Sequence, residues 1–167
     1  MSWDRASRRE FLRLSAAATA AASVASGQRL WGASPATPFA LEKRRFGKTD
    51  MQVAVLGFGG AEIGYEKTDQ ATVGKLLNAA LDAGLNVVDT AECYIDSEVQ
   101  IGEAIGGRRK EYYLFTKCGN VKPDGSRGDD WSKDGILKSV ERSLKRLKTD
   151  VIDLVQLHSC SLEELKK

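Results

Sequence analysis

The 167-residue sequence is poor in the residues that usually declare a function early. It has one histidine, three cysteines and almost no charge bias, with 25 Lys and Arg against 23 Asp and Glu. A net charge of +2 makes no case for a nucleic-acid partner. The basic residues are dispersed, and Lys145, Arg146 and Lys148 read as the solvated face of a helix. The cysteines, Cys93, Cys118 and Cys160, are odd in number, so they cannot form a complete disulfide framework. They also lack the C-x-x-C pairs of structural zinc sites, and no metal is expected. From about residue 40 onward no apolar run is long enough to span a bilayer. What remains is an ordinary globular composition, 42% hydrophobic and 29% charged, of a length that suits one domain with a real core.

The N-terminus is of a different kind. "SRREFLRLSAAATAAASVASG" opens with adjacent Arg8 and Arg9, continues with Phe11 and Leu12, and runs into alanines. A charged start, a mildly apolar middle and a small-residue tail are the parts of a targeting signal. Paired arginines before Phe-Leu resemble the twin-arginine export signal, which carries proteins already folded. The expected division is therefore 1–36 as signal and linker and 37–167 as the folded part. The expected partner is the twin-arginine export machinery and the expected location the periplasm, with no stable membrane insertion after cleavage. A disordered or amphipathic extension of a cytoplasmic protein is the alternative.

From Arg44 onward short strands alternate with amphipathic helices. "RRFGKTDMQVAV" reads as a hairpin about the turn "GKTD", and "VAVLGFGG" as a buried strand ending in glycines. Thr68 or Asp69 can cap a helix that turns Val73, Leu76, Leu77, Ala80 and Leu81 inward and stops at Gly84. "LNVVD" is a strand. Ser97 and Gln100 have the spacing of a capping box, opening a helix with Ile101 and Ile105 inward and Gly106–Gly107 as its stop. "YYLFTK" is a strand. A polar loop then leads to Ser132 and a helix with Leu137, Val140, Leu144 and Leu147 at helical spacing. "VIDLVQLH" is a nearly continuous apolar strand, and Ser161 with Glu164 opens one more helix. Alternation of this kind means βαβ units and a parallel α/β sheet buried on both faces, with chemistry at the carboxyl ends of the strands.

"DTAECY" tests two readings of that sheet. Gly57, Gly59 and Gly60 after the first strand, with Asp89 ending the second, resemble part of a dinucleotide-binding fingerprint. The third glycine of that fingerprint would fall at Glu62, and about ten residues separate the glycines from the helix cap, so the match fails in detail. The other reading follows the strand ends. Asp89, Lys117 and His158 end three consecutive strands, and Tyr94 lies on the loop after the first of them. Each alone has a dull explanation; together they describe a site. A phenol is a reluctant acid, but an ammonium beside it stabilises the phenolate, a carboxylate holds the ammonium in place, and an imidazole can hydrogen-bond a substrate oxygen. The set suits protonation of a carbonyl oxygen as hydride reaches its carbon. Cys93, Cys118 and Cys160 flank these same residues and are expected at the same mouth, free or, under oxidising conditions, as a disulfide rival.

At this point the chain resembles the aldo-keto reductase family, through "LGFGGAEIG", "DTAECY", "SEVQIGEAI", "FTK" and "SLKRLKTDVIDLVQLH", in that order over roughly residues 43 to 165. The resemblance implies a (β/α)₈ TIM barrel, NADPH as hydride donor and a small aldehyde or ketone as substrate. It implies a catalytic tetrad of Asp89, Tyr94, Lys117 and His158, with Tyr94 as the general acid and Asp89 and Lys117 also bordering the cofactor. Such a barrel takes about 250 residues, whereas about four βα units can be counted here. The expectation is an N-terminal half of the barrel that lacks most of the NADPH site and is inactive alone. The family's potassium-channel β-subunits supply the alternative, a non-catalytic binding or regulatory role.

Overall fold

The computed structural model of the protein describes residues 41–122 and 124–166. The expected export signal with Arg8 and Arg9, and its linker to residue 36, lie outside the described residues. The expected hairpin is present: β1 (Lys43–Arg45) pairs antiparallel with β2 (Gln52–Ala54), Lys43 opposite Ala54. Thr49 fastens its turn, the hydroxyl donating to the Phe46 carbonyl at 2.6 Å. "VAVLGFGG", however, is two strands. Its start belongs to the hairpin, and only β3 (Phe58–Gly59) joins the main sheet. The two pieces pair with different partners, so the chain bends between them and leaves Val55 and Leu56 exposed.

The main sheet adds β4 (Val87–Asp89), β5 (Tyr113–Cys118) and β6 (Leu154–Leu157), in the order β3-β4-β5-β6, with every pair parallel. A dinucleotide-binding sheet reverses its strand order at a switch point. This order never reverses, and only the five-residue α1 (Ala61–Tyr65) follows the glycines, filling what reads as loop in the sequence. The sequential parallel arc is that of a barrel.

Helices cover one face of the arc. α2 (Gln70–Asp82) starts at Asp69, whose carboxylate accepts from the Thr72 N–H at 3.0 Å. Val73, Leu77 and Leu81 are buried with Ile101, Ile105 and Leu147 against Val88 and Leu114 of the strands. Removing each such side chain from water contributes about 1.5–3 kcal/mol. Leu76 is exposed, contrary to the spacing argument, because the stripe runs through 73, 77 and 81 and a step of 100° from Leu77 carries Leu76 past its edge.

α3 (Ser97–Ile105) buries Ile101 and Ile105 as expected, but the capping box does not form. Ser97 is fully buried inside the helix, where its hydroxyl donates to the Gly60 carbonyl at 2.6 Å and meets the Thr90 hydroxyl at 2.9 Å. Gln100 donates instead to the Thr68 carbonyl at 2.6 Å. Tertiary contacts thus claim both side chains. At Gly106 the helix tightens into a 3₁₀ stretch, Gly106–Glu111. α4 (Lys133–Arg146) is capped by Ser132, which accepts from the Gly135 N–H at 3.0 Å. Its buried face is Gly135, Ser139 and Ser143; Leu137 is exposed, and Val140 and Leu144 are half-buried. After β6, Ser161 accepts from the Glu164 N–H at 3.2 Å and a short 3₁₀ turn, Glu164–Lys166, stands where a helix is expected. Among the described residues no helix is long and apolar enough to cross a membrane.

Candidate active site

Successive residues of a strand face opposite sides of a sheet. Val88, Leu114 and Thr116 are buried on the helix side, which turns Asp89 and Lys117 to the other face. Lys117 stands beside Gln156 in the β5–β6 register, and His158 follows two residues later, its N–H donating to the Cys118 carbonyl at 2.9 Å. The sheet therefore delivers Asp89, Lys117 and His158 to one end. Tyr94 arrives on the loop after β4, and a close approach fixes its backbone. A Cβ at Gly64 of α1 would lie 2.1 Å from the Tyr94 carbonyl oxygen, so only glycine fits there. Ile95, immediately after, has φ 50°, and Ser159 after His158 has φ 58°. A β-branched residue in the left-handed region costs about 1–3 kcal/mol and persists only where the surroundings over-determine it.

The four residues expected from the sequence come together. The Lys117 ammonium donates to Asp89 Oδ2 at 2.5 Å and to the Thr90 carbonyl at 2.9 Å, and its side chain is 15% exposed. It lies 5.1 Å from the centroid of the Tyr94 ring. His158 meets that ring edge-on, 5.6 Å between centroids at 87°, and Tyr65 flanks it at 5.7 Å. Among the described residues no hydrogen bond engages the Tyr94 hydroxyl. Burial, helped by the Lys117 charge and opposed by Asp89, holds the His158 imidazole below its ordinary value. It is therefore neutral at pH 7 and presents one N–H and one lone pair. Trp131, Ser159 and Asp129 line a polar hollow alongside.

Several neighbours escape sequence reasoning. Gln156 donates to Asp89 Oδ1 at 3.2 Å; its signal is a lone amide in an apolar strand, two residues before His158 and on the same face. Glu92 and Glu98, within and just after "DTAECY", are buried on the helix side. Glu92 binds Ser139 and Arg142 of α4, and Glu98 accepts from Thr116 at 2.7 Å and lies 3.5 Å from Arg146. Arg146 is thus not part of a merely solvated face. All three cysteines are free thiols, but they do not all line the mouth. Cys118 is buried, on the face opposite to its neighbour Lys117. Cys93 is the one in contact, its Sγ 3.2 Å from His158 Nδ1.

Parallel strands in unreversed order, with titratable side chains gathered at their carboxyl ends, fit the (β/α)₈-barrel class. Residues 55–163 match the aldo/keto reductase family, and the chain belongs to that family. The uncharacterized oxidoreductase YqkF of Bacillus subtilis is 40% identical over 128 residues, 74% of this chain and 41% of that protein. The aldo-keto reductase AKR11C1 of Bacillus halodurans, solved in its holo form, is 38% identical with a TM-score of 0.67 over 74% of this chain and 42% of that one. An aldo/keto reductase from Klebsiella pneumoniae, solved in complex with NADP and acetate, is 33% identical with a TM-score of 0.58 over 71% of this chain and 40% of that one. The chain spans about two fifths of the length of these relatives. Its fold is a partial (β/α)₈ barrel.

Proposed function

We propose that this segment carries the proton-donating site of an NADPH-dependent reduction of an aldehyde or ketone to an alcohol. The observation that carries the reading is the Lys117 ammonium, paired with Asp89 and 5.1 Å from the Tyr94 ring, with the His158 ring meeting that ring edge-on. Tyr94 is the general acid; among the described residues no hydrogen bond engages its hydroxyl. Lys117 stabilises the phenolate left behind, and Asp89 holds the Lys117 ammonium in place. His158 donates to the carbonyl oxygen and orients it towards Tyr94. NADPH, when bound, would supply a hydride for the carbonyl carbon.

The residues present fit the reacting end of that cofactor. Asp89 and Lys117 would border the nicotinamide, and as a neutralised pair they suit an uncharged reduced ring. The Lys117 ammonium is already engaged by Asp89 and Thr90, so it is not an anchor for phosphates. In a barrel of the relatives' length that carries this segment, Lys117→Met is expected to lower carbonyl-dependent NADPH oxidation by about 10²–10⁴-fold with NADPH affinity changed little. An unchanged rate would remove the catalytic reading and favour a role limited to binding.

We also propose that the protein reaches the periplasm by the twin-arginine route, a reading supported by Arg8 and Arg9 before Phe11 and Leu12. Replacing both arginines by lysine keeps the charge and removes the guanidinium forks that a receptor would read. Fractionation should then find the precursor in the cytoplasm. Undiminished periplasmic yield would refute export by this route.

A further inference from the structure

We infer that Cys93 is a positioning residue that fixes the tautomer of His158, its thiol donating to Nδ1 so that Nε2 carries the ring proton. The functional meaning rests on the reductase reading above; the tautomer itself does not. Cys93 Sγ lies 3.2 Å from Nδ1, and the same residue immediately precedes Tyr94, so one short loop sets both groups that meet the carbonyl oxygen. Its backbone is held as well, the Cys93 carbonyl accepting from Arg127 Nη2 at 3.4 Å.

The direction of this bond follows from the chemistry of the partners. An imidazole lone pair is a strong acceptor, whereas sulfur is a weak one, so the hydrogen bond is better made by S–H to nitrogen than by N–H to sulfur. The thiol has its hydrogen to give: burial outweighs the nearby Arg127 and Lys117 charges and pushes Cys93 above the ordinary thiol value. Once Nδ1 accepts, the neutral ring keeps its proton on Nε2, and that N–H is the donor left for a carbonyl oxygen. A protonated ring would have to break the thiol bond, which adds to the opposition already raised by burial and Lys117 and relieved in part by Asp89.

The single histidine makes the test unambiguous. In the full chain labelled with ¹⁵N-histidine, the two ring nitrogens seen by long-range proton–nitrogen correlation belong to His158 alone. At neutral pH the expected spectrum is one tautomer, with Nδ1 unprotonated and Nε2 protonated. In Cys93→Ala the Nδ1–H form should become detectable, and the midpoint for protonating the ring should move up in pH, because the bond that opposed protonation is gone. In a barrel that turns over carbonyl substrate, the same variant should lose about fivefold in kcat with NADPH affinity unchanged. An Nδ1–H ring or an even mixture in the native chain overturns the inference without requiring any variant to fold. So does a midpoint in Cys93→Ala that stays in place or moves down. Failure of the turnover arm alone, with the spectra as expected, would count against the reductase reading and not against the tautomer.

Discussion

Asp89 and Glu92 stand three residues apart, each holds a cation, and their surroundings are opposite. The Asp89 side chain is 36% exposed and pairs with Lys117 on the inner face of the arc, against the Tyr94 ring. The Glu92 side chain is 1% exposed and lies on the helix side, bound to Ser139 and Arg142, with Arg146 at 3.8 Å. Glu98 continues the buried set, tied to Thr116 of β5 and close to Arg146. The buried acids fasten α4 to the strand-end loop and to β5, which is architecture. The half-open acid holds the Lys117 ammonium 5.1 Å from the Tyr94 ring, the arrangement on which the proposed chemistry rests. Within one stretch of six residues, burial and the face of the sheet decide which role an acid takes.

That contrast is broken most severely at Glu92. Removing one member of a buried ion pair costs about 3–5 kcal/mol, so denaturant unfolding of Glu92→Ala should show a loss of that size. Asp89→Asn should cost no more than about 1–2 kcal/mol, since its pair is partly open to solvent. Equal losses at the two positions would erase the distinction. Gln156→Leu comes next. It takes the amide from Asp89 Oδ1 while leaving the Lys117 bond. In a barrel of the relatives' length that carries this segment it should lower carbonyl reduction about tenfold with stability within about 1 kcal/mol. A rate equal to that of the same barrel with Gln156 intact would dismiss Gln156 from the site.

The smallest effect is a slope with pH at Glu98. Burial raises its carboxyl above the ordinary range, against the opposing bonds from Thr116 and Arg146. The folded state therefore holds this proton more tightly than the unfolded chain. Charging it takes away stability as pH rises past the ordinary carboxylate value, and the loss levels off above the folded value. Glu98→Gln cannot charge, so its melting temperature relative to the unaltered protein should climb from about pH 4.5 upward and then flatten. A difference independent of pH would show that Glu98 is held without such a penalty.

What the sequence discloses follows from the same contrast. The strands are legible because they are short apolar runs, and the candidate site because titratable residues end three of them in succession. Twofold alternation accounts for the face of Lys117, and for that of Gln156, whose place beside Asp89 escapes sequence reasoning. α4 is legible as a helix but not in what it buries. Leu137, Val140 and Leu144 suggest an apolar inner stripe, yet Ser139, Arg142 and Arg146 turn inward to meet Glu92 and Glu98, which lie about 50 residues away in the chain, and Ser143 is buried on the same face. Local spacing carries no record of that partnership. Ser97 misleads for the same reason: its spacing to Gln100 fits a cap, and its burial against Gly60 and Thr90 assigns it elsewhere.

The most direct test of the site is the Tyr94 hydroxyl itself. Tyr94→Phe keeps the ring between Tyr65 and His158 and removes one proton donor. In a barrel of the relatives' length that carries this segment, single-turnover reduction of an aldehyde by NADPH should slow by about 10²–10⁴-fold, the usual contribution of a general acid. The affinity for NADPH should be almost unaltered. Reduction at the full rate by Tyr94→Phe would contradict the account, since a group other than Tyr94 would then be supplying the proton.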